Sequence, residues 1–147
     1  MNPFDPRAAL LAKHAQHVAL IHFPIALFIA GAAFDALAAW TKKWAFATTA
    51  FYNLSAAALA VPPALVTGVL AWQLQFEGHR LKGILLYHLL AALASAVFIL
   101  VSWWLHFKSR RDRSSALPLW RLPIECLGVA LILLTGHLGG FLSGVNP

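Results

Sequence analysis

A chain of 147 residues that is 61% hydrophobic and 11% charged is not an ordinary water-soluble domain, in which about 25% of residues carry charge. Eleven Lys/Arg against five Asp/Glu leave a net charge of +6, but the surplus sits in short clusters between long apolar stretches. That pattern fits a membrane protein with basic loops and argues against a basic groove for nucleic acid. The single cysteine, Cys126, excludes an intrachain disulfide framework and any Cys-rich zinc or iron–sulfur site, and the absence of C-x-x-C-H excludes covalent haem attachment.

In chain order, the first 13 residues hold Pro3, Asp5, Pro6, Arg7 and Lys13 and lack the pattern of a cleavable signal; they read as a retained flank with a short interfacial helix over 7–16. A membrane crossing needs about 20 mostly apolar residues, and four stretches qualify: 17–40, 46–73, 83–107 and 118–142. Pro62–Pro63 should kink the second of these by removing amide donors. Short linkers between four such spans predict an all-α integral membrane bundle, up-down-up-down, in one domain covering 1–147. Lys42, Lys43, Lys108, Arg110, Arg111, Arg113 and Arg121 lie at one face, against Arg7, Lys13, Arg80 and Lys82 at the other. The positive-inside rule then places both termini on the periplasmic side of a bacterial inner membrane. Trp40, Trp44, Trp103, Trp104 and Trp120 gather at the more basic face as interfacial anchors do.

The seven histidines carry the functional argument. Measured from the outer ends of their spans at 1.5 Å per residue, His22 lies roughly 10 Å deep, His88 roughly 9 Å and His137 roughly 8 Å. Three helices thus bring an imidazole to nearly one depth, and an imidazole inside hydrocarbon is a functional-site candidate. Bundles build cofactor sites from facing helices, and an all-imidazole donor set suits haem b better than a hard cation. The simplest expectation is one haem b with His22 and His88 as axial ligands to iron. A second haem would take His137 with His14 or His17, since His17 and His22 differ by about 140° around their helix and cannot serve one iron. The plainer alternative gives each histidine a hydrogen bond to a neighbouring helix, and His14, His79 and His106 read as interfacial imidazoles in contact with water. Gly136, Gly139, Gly140 and Gly144 form an arc beside His137, with Gly136 and Gly140 as a G-x-x-x-G packing pair; Gly68 notches the second span.

Asp35, Glu125 and Arg121 fall toward the more basic face. An interhelical ion pair of Asp35 or Glu125 with Arg121, Lys42 or Lys43 is the structural reading, and a proton path or a polar quinone contact is the functional one. No G-x-S-x-G elbow and no phosphate-binding glycine loop occur, and no catalytic residue is singled out.

The stretch His14-Ala-Gln-His17-Val-Ala-Leu-Ile-His22-Phe23-Pro24-Ile25-Ala26-Leu27 resembles the opening of a bacterial family of predicted membrane proteins, the domain of unknown function 2231. Asp35, the Gly68 to Trp72 segment, His88 and the Gly139-Gly140 ending are similar too, so that the likeness covers about 14–145. Ala15 and Val18 depart from it where the family usually has proline, and Ala92 where it often has asparagine. The resemblance implies four spans, and the fusion of some members to Rieske modules implies redox company.

Together these readings predict a b-type cytochrome-like electron carrier rather than a self-contained enzyme. Its partners would be the lipid membrane, a periplasmic redox protein, quinone or a larger respiratory or photosynthetic complex, and not nucleic acid. The rival expectations are a cofactor-free structural or assembly subunit of a redox complex, and a copper- or zinc-binding membrane protein.

Overall fold

The computed structural model describes residues 15–75, 80–112 and 117–143. The 7–16 flank (all but its last two residues), His14, His79, Arg113 and Gly144, on which some of the expectations fall, lie outside the described residues. Four helices follow in order: α1 Ala15–Thr41, α2 Trp44–Gln75, α3 Gly83–Arg111 and α4 Arg121–Leu142. All four are long and apolar enough to cross a membrane, and the fold is an all-α membrane bundle. Hydrocarbon offers no hydrogen-bond partner to a peptide group, so a span satisfies its backbone within itself, as a helix does.

The observed ends depart from the expected spans for local reasons. α3 runs on to Arg111, four residues past 107, because Lys108, Arg110 and Arg111 are favoured at a helix C-terminus by the dipole. Arg110 also reaches back to α2: its Nη2 donates to Thr48 Oγ1 (2.9 Å) and its guanidinium lies 4.3 Å from the Phe51 ring centroid. α4 begins at Arg121 and not at 118, since Leu117 to Trp120 form a turn whose carbonyls at Leu117 and Pro118 accept from Arg121 Nη1, both at 3.0 Å. α2 continues through Pro62–Pro63 without leaving helical geometry. Lys42, with φ of 59°, makes the left-handed turn that reverses the chain between α1 and α2.

α1 packs mainly along α2, and α3 along α4, so the bundle is two helical hairpins laid together. The buried core is small-residue rich: Phe28, Leu54, Ala57, Ala58, Val61, Ala96, Ile99 and Ile132. Small residues let helix backbones approach closely, which is how membrane helices gain packing energy when lipid is as apolar as leucine. Gly31 marks the tightest approach: a Cβ there would sit 2.8 Å from Leu54 Cδ2 and 3.3 Å from Leu54 N. Leu59, Val66, Val97, Leu127 and Leu133 point away from the bundle, as lipid-facing side chains should. Of the five tryptophans expected as interfacial anchors, Trp40, Trp44, Trp104 and Trp120 are exposed at the Lys42 end, whereas Trp103 is half-buried and packs against the core.

Candidate functional site

Polar side chains on the inward faces gather in two layers, one near each end of the bundle. Asp35 follows His17 by eighteen positions on α1, His106 follows His88 by eighteen on α3, and Gly139 follows Arg121 by eighteen on α4. Eighteen residues are five turns of 3.6, so each pair shares one face of its helix about 27 Å apart.

The layer at the Lys42 end is charged and buried. Asp35, His106, Arg121 and Glu125 are 0%, 2%, 5% and 1% exposed. Arg121 donates from Nε to Asp35 Oδ2 at 2.6 Å and from Nη2 to Asp35 Oδ1 at 3.1 Å, a two-point pairing of guanidinium and carboxylate. With Nη1 on the Leu117 and Pro118 carbonyls, the same guanidinium also closes the turn that opens α4. His106 Nε2 lies 3.2 Å from Glu125 Oε1 and 3.8 Å from Asp35 Oδ1. Of the ion pairs left open in the sequence, the Asp35–Arg121 pairing forms. His106, expected in water, is instead enclosed: depth along the span does not reveal which way a residue faces, and the eighteen-residue step from His88 turns it inward. That spacing was the signal in the sequence for its place beside Asp35 and Glu125.

The layer at the other end is neutral and half-buried. His17 Nδ1 lies 3.1 Å from Thr67 Oγ1. The Thr67 hydroxyl donates its single proton back to its own helix, to the Pro63 carbonyl at 2.9 Å with Ala64 O at 3.1 Å, so it accepts from His17 Nδ1–H. His88 Nδ1 donates to the Thr135 carbonyl at 3.1 Å. Both rings therefore carry their proton on Nδ1 and keep the Nε2 lone pair. Each sits over a glycine of the neighbouring helix: a Cβ on Gly68 would meet His17 Cε1 at 3.1 Å, and one on Gly139 would meet His88 Cε1 at 3.2 Å. Beneath His88, Ser95 and Thr135 join their hydroxyls at 3.1 Å.

The two remaining described histidines stand elsewhere. His22 is exposed, and its Nδ1 donates to the Val18 carbonyl of its own helix at 2.6 Å. His137 is exposed on α4, with its ring edge-on to Phe141 at 4.9 Å. The structure thus turns His17 and His88 inward and His22 outward, whereas the sequence paired His88 with His22.

A family model described as "Predicted membrane protein (DUF2231)" matches residues 13–145. The chain belongs to this family. No curated protein and no solved structure matches it. The DUF2231 match spans both polar layers, from His17 to Gly139.

Proposed function

We propose that this DUF2231 protein is a b-type cytochrome-like electron carrier in which His17 and His88 would hold one non-covalent haem between the hairpins. The observation that carries this reading is the pair of imidazoles from opposite hairpins, each fixed through Nδ1–H and each keeping its Nε2 lone pair. An oxygen that accepts from the far ring nitrogen in this way sets the tautomer and orientation of a ligating histidine. Gly68 and Gly139 let each ring lie close against its neighbouring helix, which fixes its position, since a side chain at either would press on the ring. A bound haem would supply a one-electron couple, and two imidazole ligands favour electron transfer over oxygen binding. Thr67 and Thr135 would hold the rings in place, and the surrounding apolar helices would exclude water. With the more basic face in the cytoplasm, this layer lies under the periplasmic surface of the inner membrane. Its electrons would pass between a periplasmic redox protein and quinone or a larger membrane complex.

One observation favours a second reading, that of a cofactor-free assembly subunit: each ring is already satisfied by an oxygen of its own hairpin. Copper or zinc on the same imidazoles is the third. An optical spectrum of the protein purified after haem-replete expression separates them. A haem Soret band that is lost in His17→Ala and in His88→Ala, and retained in His22→Ala, is the expected result. A wild-type protein without a Soret band overturns the cytochrome reading, and bound copper or zinc in its place establishes the third.

A further inference from the structure

The charged layer has a charge count that does not close on its side chains alone. Asp35 and Arg121 cancel in their two-point pairing, and arginine keeps its proton in proteins. What remains is His106 facing Glu125, both at least 98% buried. With a neutral imidazole and an ionised carboxylate the layer carries −1 in a low-dielectric interior, where an unpaired charge is strongly disfavoured. One proton shared between the two residues brings it to zero. A divalent cation in the same place would leave it at +1.

Two further observations mark this layer as a binding site. Glu125 Oε2 is buried and has no hydrogen-bond partner among the described residues, and the same holds for Ser102 Oγ, one turn before His106 on α3. A carboxylate oxygen in that position is an acceptor with nothing to accept. A cavity of about 210 Å³, lined by Asp35, Ala38, Ala39, Lys42, Leu117 and Arg121, opens onto the layer from the end that carries the basic residues.

We propose that the Asp35–His106–Glu125–Arg121 quartet is a proton-binding site that holds one exchangeable proton on the His106–Glu125 pair, taken up through the Lys42 cavity. Uptake forms one N–H or O–H bond on that pair and breaks one O–H bond of hydronium at the cavity mouth; no electrons move. Both Asp35 oxygens are engaged by the Arg121 guanidinium, so the proton falls to the other two. The groups facing the site are Asp35 from α1, with Lys42 at the cavity mouth, His106 from α3, and Arg121 and Glu125 from α4. α2 adds none, its only ionisable side chain being the exposed Tyr52, and Arg110 of α3 is turned to Thr48 and Phe51. The site is independent of any group held by His17 and His88.

Infrared difference spectra of the full-length protein in lipid nanodiscs, recorded from acid to alkaline buffer in water and in deuterium oxide, test this. In the wild type, one proton per chain should leave the layer as pH rises, with a deuterium-sensitive carboxyl or imidazolium signal. Glu125→Gln, which mimics the protonated carboxyl in shape and charge, should fold, as judged by circular dichroism, and lose that step. His106→Gln should have the opposite effect and place a full proton on Glu125, seen as a stronger carboxyl band. Titrations of wild type and Glu125→Gln that superimpose would overturn the proposal. So would a chelator-resistant metal ion, one per chain, that His106→Gln releases.

Discussion

The two polar layers stand on the same helix faces, yet they are bonded differently. At the Lys42 end the strongest bonds cross the seam between hairpins: Asp35 of α1 to Arg121 of α4, with His106 of α3 reaching toward both Asp35 and Glu125. At the opposite end the bonds stay within a hairpin, His17 to Thr67 of α2 and His88 to Thr135 of α4. One end of the seam is therefore locked by charge, while at the other each imidazole is tied to its own hairpin only. Buried ion pairs add little to stability against an apolar replacement but cost much when half-broken. Neutral interhelical hydrogen bonds in membranes contribute about 0.6 kcal/mol on average. The difference teaches that the register between hairpins is enforced at one end, while at the other each hairpin satisfies its own imidazole.

That comparison is broken most severely by Arg121→Ala, which strands Asp35 as an uncompensated buried charge and opens the Leu117–Trp120 turn. A loss of about 3–5 kcal/mol is expected, read as a fall in thermal unfolding temperature in detergent. Asp35→Ala/Arg121→Ala, which removes both charges, should recover much of the loss; a double variant as unstable as the single would contradict the account of the locked end. At the other end the expected effects are smaller. Gly139→Ala puts a methyl 3.2 Å from His88 Cε1 and must displace the ring, so the Soret band should shift or weaken, with a stability loss of about 1–3 kcal/mol. Gly136→Ala meets nothing within 4 Å and should leave the spectrum unaltered. The mildest case is Thr135→Val, which loses the hydroxyl pairing with Ser95 but keeps the carbonyl that His88 uses. Chemical denaturation should register a change of about 0.6 kcal/mol with no spectral change; a changed Soret band would mean that the hydroxyl, and not the carbonyl, sets the ring.

The four spans could be read directly from the chain, because hydrocarbon imposes helix length and apolar composition with few exceptions. The ends were less legible: α3 outran its apolar stretch on the strength of Arg110, whose partners Thr48 and Phe51 lie far away in sequence. In the site, depth alone was a partial guide. It put His22, His88 and His137 at one level, but whether a ring faces its neighbours or lipid depends on rotation, and His22 sits about 140° around α1 from the inward His17. His106 shows the same lesson from the other side, since five whole turns from His88 made it an interior residue despite its place near the helix end. The pairing of Asp35 with Arg121 was one of several that charge allowed; the turn at Leu117 and Pro118, which Arg121 also closes, selected it.

The five-turn interval that links the layers also constrains how these helices can vary. Adding or removing a single residue between His17 and Asp35, or between His88 and His106, would swing one layer by about 100° relative to the other. Either the carboxylate or an imidazole would then face the acyl chains. Length changes should therefore be absent from these two segments and confined to the connecting loops, so that the spacer is held fixed even where its individual apolar side chains are interchangeable.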